Sequence, residues 1–149
     1  KLAVVDRHRA TGNLGLGFIE GFGFRRGAIA SSVAHDAHNL VCLGVDDRDM
    51  ETAIRRVSDL AGGVAVVIDG QVRAELPLPV GGLMSDRPLE EVSARMKELL
   101  RVAAETGCAL SDPVTAISFL ALPVIPSLKL TDRGLVDVDE FRLVPLFVD

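Results

Sequence analysis

The pair Asp69-Gly70 constrains the fold of this chain more than any other feature, because it stands between two apolar runs rich in β-branched residues. A two-residue type I′ turn needs positive φ at both central positions, and Asp-Gly is among the pairs that adopt it most readily. Residues 64–68 and 72–78 are therefore predicted to form an antiparallel hairpin. Pro77 and Pro79 end its second strand or hold it at a sheet edge.

Further strand patterns precede this hairpin, at residues 2–5, 28–33 and 40–45. Residues 11–27 hold six glycines that alternate in part with leucine and phenylalanine. Their spacing comes near a dinucleotide-binding loop, but the third glycine falls one place too late and no helix follows. We interpret this segment as a strand whose backbone is closely approached by another part of the chain.

Three helices are predicted from capping residues and from apolar residues spaced three and four apart. The first covers residues 47–61, begins at Asp46 or Asp47 and ends at Gly62. The second follows Ser85-Asp86 and ends at Gly107, and its buried stripe is Leu89, Val92, Met96, Leu99 and Ala103. The third starts at Ser111 or Asp112 and is apolar on nearly all sides from residue 114 to residue 122.

Strands in runs, with helices interposed and no regular βαβ alternation, predict an α+β fold. We expect a mixed or antiparallel sheet packed with about three helices, a sandwich in which residues 1–149 form a single domain. The core must be built from aliphatic residues, because tryptophan and tyrosine are absent and only six phenylalanines are present.

Composition also excludes several functions. A net charge of −5 and few aromatic residues argue against nucleic-acid binding, which needs a basic face or stacking platforms. The chain has no apolar run of about 18 residues, so no membrane partner is expected. Cys42 and Cys108 lie far apart, without the spacing of a structural zinc site. Two reduced, buried thiols in a cytoplasmic protein are the expectation.

The segment between the strands at 28–33 and 40–45 is the main candidate for chemistry. It holds the hydroxyl of Ser32, the imidazoles of His35 and His38, the carboxylate of Asp36 and the amide of Asn39. An imidazole beside a carboxylate suits proton transfer, hydrogen bonding to a heteroaromatic ring, or contact with the ligands of a metal. A polar turn that caps backbone groups explains the same residues equally well. The two histidines are three apart, so they are not predicted to bind a metal together.

Several segments together resemble the C-terminal domain of bacterial adenine deaminases. They follow one another through essentially the whole chain, which makes the resemblance more specific than any single motif. The matching segments are Arg7-His8, Thr11-Gly12-Asn13, residues 15–18 and 27–36, His38-Asn39, and residues 74–79, 82–86, 118–126, 128–132 and 134–137.

The resemblance implies a metal-dependent amidohydrolase, in which a barrel binds manganese or iron and activates water. Water attacks C6 of adenine and gives hypoxanthine and ammonia in purine salvage. The His-x-His strand of that barrel is absent from this sequence. We therefore expect a fragment of a longer chain that binds no metal and is inactive alone. Its expected partners are adenine as substrate of the parent enzyme, its own barrel, and further copies in a homo-oligomer.

Two roles for the domain follow. In the first, His35, Asp36 and His38 are catalytic groups at the rim of the active site, and Ser32 and Asn39 bind substrate. In the second, the domain is non-catalytic: it packs on the barrel or joins subunits, and its polar turn is scaffold. The apolar segments 118–125 and 143–148 further predict an exposed apolar patch, which normally marks an interface.

Overall fold

The computed structural model describes residues 1–9 and 11–148. Among these residues, nine strands and three helices follow one another along the chain. In order, they are β1 (Leu2–Val5), β2 (Leu14–Gly17), β3 (Ala28–Ser31), β4 (Leu40–Gly44), α1 (Asp47–Asp59), β5 (Gly63–Ile68), β6 (Gln71–Pro77), α2 (Leu89–Glu105), α3 (Pro113–Ser118), β7 (Leu128–Thr131), β8 (Gly134–Asp137) and β9 (Arg142–Val144).

Strands β1 to β6 form one sheet in the order β2-β1-β4-β3-β5-β6, and β7, β8 and β9 form a second, smaller sheet. All neighbouring strands in both sheets pair antiparallel. The prediction of an α+β fold with about three helices is confirmed, and of the two sheet types considered the antiparallel one is found.

The six-stranded sheet is covered on both faces. On one face, Ala53 and Val57 of α1 pack against alanines of the central strands such as Ala30 and Ala65. On the other face, residues of α2, α3 and β7 pack against Ile29, Val66 and their neighbours. Because side chains alternate across a strand, β3 and β5 supply small residues to the helix α1 and larger ones to the opposite layer.

The predicted hairpin is formed by β5 and β6, and both of its turn residues have positive φ, 55° at Asp69 and 75° at Gly70. Asp49 of α1 is buried and its carboxylate accepts hydrogen bonds from the backbone N–H groups of both turn residues. The turn is thus anchored to the helix that covers the sheet. A second link joins Arg56 of α1 to Glu75 of β6 through hydrogen bonds of 2.6 and 2.8 Å.

The N-caps predicted for α1 and α3 are confirmed, whereas both helices end earlier than predicted. Asp46 caps α1 and Asp112 caps α3 through the side-chain contacts expected of N-caps. Helix α1 ends at Asp59, and α3 ends at Ser118, four residues short of the predicted end. In α2 the predicted stripe is wrong at Leu89, which lies in the first turn and is 78% exposed.

The glycine-rich segment contains one strand, β2, in which the glycines and not the leucines face the interior. Gly15 and Gly17 are buried, whereas Leu14 and Leu16 are half exposed, at 50% and 56%. The small sheet packs on the glycine face so closely that a Cβ on Gly15 would lie 1.8 Å from the carbonyl oxygen of Thr131. The predicted close backbone approach is confirmed.

Both cysteines are free thiols in the described chain. Burial raises the pKa of Cys42 to about 12, whereas Cys108 is only half buried. None of the helices found among the described residues combines the length and the apolar character needed to cross a membrane.

A polar edge of the sheet as candidate functional site

The connection between β3 and β4, residues 32–39, carries the candidate site residues and is called the His loop below. Its position follows from strand pairing, since Val5 lies opposite Leu40 and Ser31 lies opposite Val64. The segment after β1 and the turn before β5 are therefore its neighbours. Together with the turn at residues 79–84 they lie at one end of the large sheet, where these strands begin or end. This end of the sheet is called the polar edge.

Arg7 and His8, which follow β1, hold the His loop from one side. The Nε of Arg7 donates to the carbonyl oxygen of His38 at 2.8 Å, and its Nη2 donates to that of Gly81 at 3.0 Å. The imidazole Nε2 of His8 lies 2.7 Å from the carbonyl oxygen of Ala37. Side chains from one segment thus fix the backbone of two other loops.

Asn39 is buried and uses both ends of its amide. Its Oδ1 accepts from the backbone N–H of Arg7 at 3.3 Å, and its Nδ2 donates to Asp132 at 3.1 Å. The other carboxylate oxygen of Asp132 accepts from Asn13 at 3.3 Å. The residue predicted to bind substrate therefore joins the His loop to the turn between β7 and β8. Its role in substrate binding stays a prediction.

Ser32 is fully buried, and its hydroxyl links three parts of the backbone. It donates to the carbonyl oxygen of Gly82 at 2.6 Å and accepts from the backbone N–H of Gly63 at 2.8 Å. These contacts are those of a structural hydroxyl that ties the end of β3 to the start of β5 and to the turn at 79–84. Substrate binding by Ser32 also stays a prediction.

His35 and His38 come together at the surface of the polar edge. Their ring centroids are 6.0 Å apart at an interplanar angle of 70°, and the ring of Phe119 lies 5.1 Å from that of His35. The backbone N–H of His35 donates to the carbonyl oxygen of Ser118 at 3.0 Å. Both histidines are half buried, and Asp36 between them in sequence is exposed. The structure therefore groups the three predicted catalytic residues on one loop.

The imidazole of His38 has an unusual environment. Its Nδ1 is buried, and no group among the described residues forms a hydrogen bond with it. Burial lowers the pKa of His38, and nearby His35, Arg7 and His8 lower it further, while Asp36 opposes them. The lowered pKa favours the uncharged imidazole, in which one nitrogen donates and the other accepts.

A groove of about 350 Å³ opens beside the polar edge, between α1 and the ends of β1 and β4. Arg7, Leu40 and Val57 are among its lining residues, but within the described chain the two imidazoles are not. The groove and the pair of imidazoles are therefore separate features of the polar edge. A cleft at the imidazoles would need a second surface opposite them.

A metal centre is the next chemistry that the family resemblance raises for these residues. No three histidine, cysteine, aspartate or glutamate side chains within residues 1–9 and 11–148 approach one another closely enough to hold an ion. Among the described residues, the donor groups of the His loop do not fit a metal, because its two imidazoles and its exposed carboxylate do not converge.

Comparison with known proteins identifies the domain. The profile of the family described as the adenine deaminase C-terminal domain matches residues 1–142. The chain belongs to this family. The matched range includes the His loop and the strands on either side of it.

Curated relatives agree with the family match. The chain is 54% identical over 147 residues to an adenine deaminase of Desulfatibacillum aliphaticivorans, which covers 99% of this chain and 26% of that protein. It is 54% identical to an adenine deaminase of Archaeoglobus fulgidus, over 100% of this chain and 27% of that protein. It is 50% identical to an adenine deaminase of Brucella abortus, over 97% of this chain and 25% of that protein. The chain thus spans about a quarter of the length of these relatives.

Three parts of the polar edge are not singled out by the sequence as functional: Arg7, Asp132 and the Gly81-Gly82 turn. Each of them contacts the His loop from a distant part of the chain. Arg7, Gly82 and Asp132 do lie within the motif segments of the family resemblance, and this is the one signal that points to them. Residue type and periodicity do not distinguish them from ordinary loop residues.

Proposed function

We propose that this domain completes the entrance of the active site of an adenine deaminase, with the His loop turned toward substrate bound in a metal-dependent barrel. One observation carries the proposal: in a domain of this family, two imidazoles stand together at an edge, and the buried Nδ1 of His38 lacks a partner among the described residues. The reaction is the hydrolysis of adenine to hypoxanthine and ammonia, in cytoplasmic purine salvage.

The chemistry of the His loop suits a purine. A neutral imidazole offers one donor and one acceptor, and adenine offers ring nitrogens that accept and an exocyclic amine that donates. His38 is assigned to hydrogen bonding with the purine, because its lowered pKa favours the uncharged imidazole. His35 is the other imidazole of the pair, and Asp36 adjoins it in sequence. His35 is assigned to holding a proton for the leaving amine.

No residue of this domain is assigned as a metal ligand, and manganese or iron belongs to the barrel in this proposal. When bound there, the metal supplies hydroxide near neutral pH. The His loop contributes binding and proton transfer at the opposite wall. This division explains why the domain carries a polar edge but no converging ligand set among its described residues.

The direct test replaces each imidazole by glutamine in the full-length enzyme. We expect His35→Gln and His38→Gln to lower kcat/KM by about 10²- to 10⁴-fold, the range for a general acid or base, with little change in thermal stability. The control is Asp139→Asn, at an exposed position after β8. Wild-type kcat/KM in both folded histidine variants would contradict the proposal.

The isolated chain is expected to be inactive. The described residues offer no set of metal ligands, so purified protein should release no ammonia from adenine with or without added manganese or iron. An enzyme-coupled ammonia assay measures this directly. Metal-dependent release of ammonia by the 149-residue chain would show that this part of the proposal is wrong.

A second candidate, a structural domain that packs on the barrel or joins subunits, is favoured by exposed apolar side chains. Phe18 and Phe147 are 67% and 75% exposed, with ring centroids 6.4 Å apart, and Leu143 is 56% exposed. In the full-length enzyme, Phe147→Ser with Leu143→Ser should then change the mass measured by light scattering or lower the unfolding temperature. If these variants do so while the histidine variants keep full activity, the second candidate replaces the first.

A further inference from the structure

Arg7 stands where three loops of the polar edge meet. Its guanidinium donates to the carbonyl oxygens of His38 and Gly81, and its backbone N–H donates to Asn39. The turn at 79–84 leaves room for it, because a Cβ on Gly82 would lie 2.2 Å from Nη1 of Arg7. The carbonyl oxygen of Gly82 in turn accepts from Ser32 at the other end of the His loop.

We propose that Arg7 is a positioning residue for deamination, which fixes the imidazole of His38 toward the substrate and keeps a positive charge beside it. The proposal rests on the proposed function, because His38 must act on adenine for its position to matter. Arg7 itself is not assigned a contact with substrate.

The backbone of His38 is the first reason. Its φ is 50°, in the left-handed region that non-glycine residues seldom adopt. The hydrogen bond of 2.8 Å from Nε of Arg7 to the carbonyl oxygen of His38 holds this conformation directly. A charged donor makes a stronger bond than a neutral one, and the planar guanidinium can bind two carbonyl oxygens at once. A lysine at this position keeps the charge but lacks the planar, forked arrangement of N–H donors, called the fork below, that binds both carbonyl oxygens.

The charge is the second reason. Four ionisable side chains face His38: His35 and Asp36 from its own loop, and Arg7 and His8 from the segment after β1. Burial lowers the pKa of His38 most, His35 and then Arg7 lower it further, and Asp36 acts in the opposite direction. Arginine is always protonated in proteins, so its contribution persists at every pH at which the enzyme is active.

Three arginine variants of the full-length enzyme separate these effects. Arg7→Gln removes both the charge and the fork, and Arg7→Lys removes the fork alone. Arg26→Gln is the matched control, because Arg26 also donates to a carbonyl oxygen, that of Glu105, at the opposite edge of the sheet. For each variant, kcat and kcat/KM for adenine are measured across pH, together with thermal unfolding.

We expect Arg7→Gln to lower kcat by about 10- to 100-fold, the usual loss when a reacting group is misplaced by about 1 Å. The acid limb of the pH profile of kcat, where activity falls on acidification, should also move to higher pH in Arg7→Gln. Loss of the cation raises the pKa of His38, so the imidazole becomes protonated and inactive earlier on acidification. Arg7→Lys should lower kcat less and leave the acid limb in place. Arg26→Gln should behave as the wild type.

Every outcome decides the matter. A lower kcat in Arg7→Gln with an unmoved acid limb means a merely structural role and overturns the proposal, as does wild-type behaviour. If Arg7→Gln does not fold, Arg7→Lys decides. A lower kcat at the wild-type unfolding temperature, with the acid limb in place, supports the proposal. Wild-type kcat, or a lower kcat that accompanies a lower unfolding temperature, overturns it. His38→Gln, measured in parallel, separates the two hypotheses. Full activity in His38→Gln means that the proposed function itself has failed, whereas its loss together with a wild-type Arg7→Gln refutes the role of Arg7 alone.

Discussion

Gly15 and Gly17 give a matched test of how the small sheet is held against the large one. They lie two residues apart on β2, point to the same side and are both buried. A Cβ on Gly15 would lie 1.8 Å from the carbonyl oxygen of Thr131, whereas the atom nearest to a Cβ on Gly17 would be in the side chain of Leu130, at 3.5 Å. The two substitutions to alanine therefore differ in one physical respect, the atom that the new methyl group meets.

The expected effects have opposite signs. In Gly15→Ala the strand β7 must move away from β2, because a backbone oxygen cannot rotate aside, and overpacking of this kind costs about 1–3 kcal/mol. The loss of unfolded-state entropy offsets part of this, by about 0.4–1 kcal/mol. In Gly17→Ala the contact distance is ordinary, so the entropic gain dominates and the protein is unchanged or slightly more stable.

Thermal unfolding followed by circular dichroism measures the difference, since the chain has no tryptophan or tyrosine for fluorescence. For a domain of this size 1 kcal/mol corresponds to about 2–4 °C in Tm. Gly15→Ala should therefore unfold several degrees below Gly17→Ala. Equal Tm values for the two variants, or a lower value for Gly17→Ala, would refute the close approach of Thr131 as the reason for glycine at position 15.

Three further outcomes are expected. Asp49→Ala leaves two turn N–H groups without their acceptor and should lower the free energy of unfolding by about 1–3 kcal/mol in urea titrations, and an unchanged value contradicts the anchoring role. The hydrogen bonds from Arg56 lower the pKa of Glu75, so the stabilisation it gives is present above the usual glutamate pKa and is lost as pH falls through the lowered value. Glu75→Gln should flatten this acid dependence, and an identical pH profile would exclude the pair as its source. Iodoacetamide at pH 8 should modify Cys108 in the folded protein and Cys42 only in urea, as mass spectrometry can show, because burial raises the pKa of Cys42 to about 12.

The sequence predicts local structure well where a few neighbouring residues determine it. The turn at Asp69-Gly70 and the caps Asp46 and Asp112 are found as predicted, because each depends on contacts within four residues. The direction in which Leu14 and Leu16 point is not predictable in the same way. Alternation places them on the same face, but only the small sheet, which begins more than 100 residues later, determines which face is covered.

The same distinction between local and distant contacts applies to the candidate site. Residue types alone identify the His loop as unusual, and the structure brings His35 and His38 together on it. The groups that hold the loop are Arg7, Gly82 and Asp132, which lie 31 or more residues away from the positions they contact. Such partners follow from the order of the strands in the sheet, β1 beside β4 and β3 beside β5, and pattern does not predict that order.

The small sheet and the His loop are coupled through two neighbouring residues. Thr131 is the residue that approaches Gly15, and Asp132, next in the chain, binds the amide of Asn39. Any change that lifts β7 from β2 therefore also moves the acceptor of Asn39, whose other end binds the backbone N–H of Arg7. Because Arg7 holds the backbone of His38, packing on the glycine face of β2 reaches the imidazole through a continuous series of contacts. The stability of this domain and its proposed role in catalysis therefore depend on the same contacts. For that reason activity must be compared between variants of equal stability.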